Sequence, residues 1–350
     1  MATILLDSIP VGDGQRPYVI AEMSGNHNGD IERALKIIDA AADNGADAVK
    51  LQTYSPETMT IRSPKSDFQI EGGLWDGYSL WDLYDWAHTP FDWHPELFEH
   101  ARSKGISCFS TPFDETAVDL LEGLDCPFYK IASFELTDLP LVKCIASTGK
   151  PIIMSTGMAT LDEIAESLDT ARSAGGKDIV VLHCVSGYPT PVEEANLACI
   201  SELAKRFGTV VGLSDHTIGN AASIAAVSLG AAVIEKHFTL DRAAGGPDAE
   251  FSMEPAELRA LRDGVSDAWK AIGQPDFSQK SSERSNVKFR RSVYAVRDIA
   301  KGEKFTTTNV RRIRPGFGVP PKYYESIVGS EALSDIEAGT AIKLEHFRNE

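Results

Sequence analysis

Two apolar runs near the two-thirds point of the chain both end on a histidine with a carboxylate close by. VGLSDHTIGN (211–220) carries Asp215 and His216, and VIEKHFTLDR (233–242) carries Glu235 and His237. Alternate side chains on a strand share a face, so Ser214 pairs with His216 and Glu235 with His237. Two neutral imidazoles from neighbouring strands suit a divalent cation with open positions for substrate and water, an exchangeable Lewis acid rather than a structural site. The competing reading is the ordinary one: a strand-end histidine is solvated or hydrogen-bonded and nothing more. The residues that would meet this pair decide between the two.

Six earlier apolar runs break off in the same way into polar residues. The first ends at Glu22, followed by SGNHNG with Asn26 and His27; the second carries Lys50 and Gln52 on one face. Ser110 and Thr111 close the third, Lys130, Ser133 and Glu135 the fourth, Ser155 and Thr156 the fifth, Ser186 and Tyr188 the sixth. A lysine buried at such a position is costly unless it meets opposite charge. Ammonium groups among Ser and Thr hydroxyls suit a ligand with both a phosphate and a carboxylate. Any one of these serines alone is a structural residue. Two lysines, two histidines and three glutamates at the ends of one strand set are harder to explain that way. Lys236 alternates away from its neighbours and is placed behind the site.

The elements that must position these residues repeat in one order. Strand-like runs fall at 18–24, 47–54, 106–113, 127–133, 151–158, 179–186, 210–217 and 232–240. Between them lie segments such as DIERALKIIDAAADNGAD, TLDEIAESLDTARSAGG and EANLACISELAKRFG. Their apolar residues recur at three- and four-residue spacing, and glycine often closes the helix. Eight such units predict an α/β fold, a (β/α)8 TIM barrel, whose active site lies at the C-terminal ends of the strands. No phosphate-cradling glycine-rich turn follows the first strand, which argues against a dinucleotide-binding sheet. The stretch 55–100 is long for a connection and holds the aromatic-dense GGLWDGYSLWDLYDWAHTPFDW; it is either a wall or lid for the site or a satellite hydrophobic cluster. GQPDFSQKSSERSNVKFRR then reads as a linker, and short strands with Gly/Pro turns follow. The expected layout is a barrel over 1–275, a linker over 276–289 and a small β-rich domain over 290–350.

With 350 residues, 43% of them apolar, the chain has ample material for a core, and its net charge of -17 argues against binding nucleic acid or an anionic membrane surface. An anionic substrate would have to be held by locally placed cations. The five cysteines form no CxxC pair and read as reduced core thiols. No signal-like segment or membrane-spanning run is present, so a soluble cytoplasmic protein is expected.

The stretches AEMSGNHNG, GADAVKLQTY, FSTPFD, YKIASFE, STGMAT, HCVSGYPTP, GLSDHTIG and IEKHFTLD, in this order, resemble the sialic acid synthase family. RSVYAVRDIAKGE and VRRIRPGFGVPP resemble that family's antifreeze-like (SAF) domain. Within the family, GGLWDG, TPFDWH and YKIASFE favour the pseudaminic branch. The resemblance implies condensation of phosphoenolpyruvate with the open-chain form of 2,4-diacetamido-2,4,6-trideoxy-L-altrose, releasing phosphate by C–O cleavage. It also implies Mn2+, with Mg2+ or Co2+ as alternatives, on His216 and His237. Lys50, Lys130, Thr111, Ser133, Ser155, Ser186, Tyr188 and Ser214 would hold phosphoenolpyruvate. Glu22, Gln52, Glu135 and Asp248 would orient sugar and water, with Glu135 transferring a proton; Glu235, Asn26 and His27 complete the expected binding set. The remaining histidines are structural. Ser186 stands where many members have Asn, which bears on one phosphate contact. The family further implies a domain-swapped homodimer in which Arg314 of the tail reaches the partner's sugar. The alternatives are N-acetylneuraminate or legionaminate synthesis, a Schiff-base aldolase using Lys130 or Lys50, and a non-enzymatic carbohydrate-binding tail.

Overall fold

The computed structural model describes residues 3–347. The chain divides after Gly273 into two compact units.

The first unit opens with an antiparallel hairpin, β1 (Thr3–Leu6) and β2 (Ile9–Gly12). Eight parallel strands then close into a barrel: β3 (Tyr18–Glu22), β4 (Ala48–Thr53), β5 (Ser107–Pro112), β6 (Tyr129–Ile131), β7 (Ile152–Ser155), β8 (Ile179–Cys184), β9 (Val210–Asp215) and β10 (Val233–His237). The outer helices are α1 (Ile31–Asp43) after β3, then α2 (Pro56–Met59), α3 (Leu80–Ala87) and α4 (His94–Ser103), all three between β4 and β5. They continue with α5 (Glu115–Glu122), α6 (Leu139–Ser147), α7 (Leu161–Ser173), α8 (Ala198–Phe207), α9 (Ala221–Ser228) and α10 (Pro255–Ile272). The TIM-barrel expectation is met strand for strand. The hairpin was not foreseen: Leu6 and Val11 are fully buried in the barrel core, and Ser107, the first residue of β5, donates to Asp7 in its turn.

Local chemistry accounts for the helix boundaries. In α1 the buried Ala34, Ile37, Ile38 and Ala41 form one stripe, and the Asp30 carboxylate accepts from the Glu32 N–H at its start. Thr160 and Glu163 form a capping box on α7, and α8 stops where Gly208 turns left-handed at φ 63°. Each such cap contributes about 1 kcal/mol. Most of the fold's stability comes instead from apolar side chains packed between strands and helices, among them Ile20, Phe109, Phe128, Ile153 and Val233.

The second unit is small and β-rich. Its core gathers Val293, Ile299, Phe305, Val310, Ile327 and Ile342 around the antiparallel pair β11 (Ser292–Ala295) and β12 (Val310–Ile313). Ahead of it, Ser281–Phe289 forms a 3-10 run with no buried residue. Among the described residues no helix is long and apolar enough to cross a membrane.

Candidate active site

Barrel register brings the polar strand ends side by side. Glu22 of β3 lies opposite Lys50 on one side and His237 on the other; Gln52 faces Thr111, and Glu235 faces Ser214. The two lysines meet over one carboxylate: Lys130 Nζ lies 3.2 Å and Lys50 Nζ 3.6 Å from Glu235 Oε1, which also accepts from Ser214 Oγ at 3.2 Å. Lys50 Nζ is 3.1 Å from Glu22 Oε2 and donates to Thr111 Oγ1, while Gln52 Nε2 holds Glu22 Oε1 at 2.9 Å. All four charged groups are buried, so each depends on the others to offset desolvation. Burial lifts the Glu22 carboxyl despite Lys50, and it depresses Lys130 more than Glu235 restores it. Burial also acts to raise Glu235, but Lys130 and Lys50 outweigh it and hold that carboxyl low.

Beside this floor stands the histidine pair, with ring centroids 5.4 Å apart. His216 Nδ1 lies 2.8 Å from the Val185 carbonyl; donating there, it leaves Nε2 as the nitrogen with a lone pair in the neutral ring. His237 Nδ1 is buried without a hydrogen-bond partner, 3.6 Å from Asp248 Oδ2. Burial and the neighbouring cations keep His237 far below the usual imidazole range, hence neutral. Burial opposes the charged form of His216 too, but contact with Cys184 raises its pKa. An orphaned imidazole nitrogen next to a second oriented imidazole fits a divalent cation. Among the described residues no group of three or more His, Cys, Asp or Glu side chains is arranged to hold a metal. Tyr188 lies over them, its ring 4.5 Å from His216 and 6.4 Å from His237.

On the opposite strands, Ser155 Oγ is buried without a partner, and Ser133 and Ser186 close in on Gly157. A Cβ at Gly157 would lie 2.7 Å from Ser133 Oγ and 2.8 Å from Ser186 Oγ, so only glycine lets the backbone and both hydroxyls converge. Cys184, unforeseen as part of the site, joins the two halves: Ser133 Oγ donates to its sulfur at 3.3 Å, and His216 Nδ1 is 3.9 Å away.

Above lies a cavity of about 370 Å³. Gln52, Glu135, His237 and Asp248 supply polar lining, and Ser24 donates to Asp248. Glu135 Oε2 is buried without a partner, and burial pushes its pKa up to about 7. Apart from the hydroxyls of Tyr54, Tyr84 and Tyr188, the rest of the lining is apolar and comes largely from the 55–100 stretch, which is therefore a wall of this cavity; its aromatic density was the legible signal.

Two expected ligands are placed elsewhere. His27 is fully buried with both ring nitrogens engaged, Nε2 by Thr89 Oγ1 and Nδ1 by the Gly29 N–H. Asn26 donates to the Phe238 carbonyl and to Ser252 Oγ. Both brace the loop after β3 and neither lines the cavity; His27 has both nitrogens committed, whereas Asn26 Oδ1 is buried without a partner. Arg314 follows β12 in the second unit and is exposed. Lys236, as expected, points behind the site, paired with Asp215 at 3.0 Å.

The NeuB family profile matches residues 37–276, and the SAF domain profile matches 290–348. The chain is 45% identical over 334 residues to the pseudaminic acid synthase of Campylobacter jejuni, covering 95% of this chain and 97% of that one. It is 40% identical over 333 residues to the N,N'-diacetyllegionaminic acid synthase of Campylobacter jejuni, covering 94% and 99%. Among solved structures, N-acetylneuraminic acid synthetase from Leptospira borgpetersenii serovar Hardjo-bovis, in complex with citrate, superposes with a TM-score of 0.73 at 31% identity, covering 83% of this chain and 96% of that one.

Proposed function

The chain belongs to the NeuB family, and from that premise we propose that it is a transferase joining phosphoenolpyruvate to an open-chain 2,4-diacetamido-2,4,6-trideoxy-L-altrose, the reaction of a pseudaminic acid synthase. The observation that carries the chemistry is the convergence of Lys50 and Lys130 on Glu235 beside the His216–His237 pair. The higher identity to the pseudaminic than to the legionaminic relative supports this sugar.

In this reading the two ammonium groups hold the phosphate and carboxylate of phosphoenolpyruvate, with Thr111, Ser133, Ser155, Ser186 and Ser214 donating hydroxyls around them. His216 and His237 would hold a divalent cation, Mn2+ in our reading, which when bound would supply Lewis acidity for the sugar carbonyl. Asp248 and Gln52 orient the sugar, and Tyr188 screens the site from water. C3 of phosphoenolpyruvate forms the new bond to the sugar's C1, water adds at C2, and the C2–O bond breaks as phosphate leaves. Glu135, poised near neutrality, moves the proton. Exposed Phe134, Met158 and Ile218 on the strand-end loops, with exposed Phe317 on the tail, support a homodimer in which Arg314 serves the partner's site. A cytoplasmic location fits a reaction that draws on phosphoenolpyruvate.

The test is phosphate release by the purified chain. Release should require the sugar and fall on chelation, and 18O in the bridging position of phosphoenolpyruvate should emerge in phosphate. Label kept in the sugar acid would overturn the reaction. Borohydride inactivation with label on Lys130 would point to a Schiff base instead.

A further inference from the structure

The cavity has two unlike faces. Most of its polar side chains project from the barrel strands and their loops, among them Gln52, Glu135, His237 and Asp248. Its other face is contributed by the insertion between β4 and α4, through Met59, Ile70, Trp75, Leu80 and Leu83, with the Tyr84 hydroxyl as a polar group on the same side. That face is fixed rather than loose. Ile70 N–H donates to the Tyr78 carbonyl and Gly77 N–H to the Ile70 carbonyl, closing a small hairpin with Trp75 near its tip. Trp75 Nε1 donates to the Pro247 carbonyl at 2.8 Å, and its ring lies 5.7 Å from Tyr188. The hairpin is therefore tied to the residue before Asp248 and to the ring that covers the histidines.

We propose that this insertion face selects the sugar, by receiving its methyl groups where a hydroxyl would find no partner. The proposal rests on the reaction proposed above and assigns specificity within it. A sugar with its hydroxyls toward the strand ends and its C6 methyl toward Ile70 and Leu83 satisfies both faces at once. The same sugar with a hydroxyl on C6 must bury that oxygen against Ile70 and Leu83, which cannot hydrogen-bond. An apolar pocket of this kind discriminates against an added hydroxyl by about 10- to 100-fold. Met59, Ile70, Leu80 and Leu83 are thus specificity-determining residues that take no part in the chemical step.

The experiment compares the diacetamido trideoxy sugar with its 6-hydroxy counterpart in the wild type, Ile70→Asn and the conservative Ile70→Val. Affinity is read by calorimetry and turnover by phosphate release. The wild type should favour the 6-deoxy sugar at least 10-fold in both kcat/KM and Kd, and Ile70→Val should keep that ratio. Ile70→Asn should reduce it at least fivefold without moving the KM for phosphoenolpyruvate. Equal loss for both sugars in Ile70→Asn, or no discrimination by the wild type, would overturn the proposal. Discrimination in binding without phosphate release from either sugar would sustain the wall while removing the synthase reaction.

Discussion

At the residue scale, Glu135 shows how a site group is bought at the expense of stability. Its pKa is lifted to about 7 because burial penalises the carboxylate and no hydrogen bond reaches Oε2. The folded chain therefore holds this proton between about pH 4.5 and 7 while the unfolded chain releases it, so this contribution to stability falls as pH rises through that window. Glu135→Gln should be more stable than wild type at pH 8, by an amount of order 2 kcal/mol given the group's partial exposure, with the gain shrinking toward pH 5. Denaturant midpoints at the two pH values measure it, and an equal shift at both would contradict the argument. The same variant should lose about 100-fold or more in kcat with little change in the KM for phosphoenolpyruvate. Strand periodicity made much of this scale legible. Lys50 with Gln52 and Glu235 with His237 are two residues apart, and the barrel turns each pair inward as expected. For Asn26 and His27, sequence marks a polar residue near a strand end but not the groups that meet it in the fold, here Thr89, Gly29, Phe238 and Ser252.

At the scale of elements, the eight strands stood out because a strand covered on both faces reads as an apolar run, and it turns polar only where it emerges into the mouth. The β1–β2 hairpin was missed: four-residue strands flanking a tight turn leave too short a pattern to separate from an ordinary leading segment. The insertion was legible as something apolar and aromatic, whereas its role as a cavity wall depends on contacts such as Trp75 to Pro247, 172 residues apart. Within the barrel, β9 and β10 can close only because residue 212 is glycine. A Cβ there would sit 2.3 Å from the Val233 carbonyl oxygen and 2.6 Å from Leu182 Cδ2. The carbonyl cannot retreat without loosening the β9–β10 ladder, so Gly212→Ala should cost about 2 kcal/mol or more. Chemical denaturation checks this, and an unchanged midpoint would mean that the strands separate more readily than the packing implies.

At the scale of the whole molecule, the two compact units divide the chemistry: every residue proposed to hold phosphoenolpyruvate or the cation lies in the barrel, and Arg314 lies in the other unit. If Arg314 serves a partner's barrel, two inactive variants, Arg314→Ala and Glu135→Ala, should complement each other after subunit exchange. Random pairing into dimers with one repaired site in each mixed dimer would restore about a quarter of the sites. Absence of recovery despite demonstrated exchange would rule out action in trans. The hairpin at the start of the chain bears on traffic through the barrel. With Leu6 and Val11 packed into the core and Asp7 tied to the start of β5, the hairpin lies against the strands' N-terminal end, opposite the mouth. If the proposed reaction runs here and the mouth is its exit, phosphate set free beside Lys50 and Lys130 would leave after the longer product, a queue imposed by topology rather than by affinity.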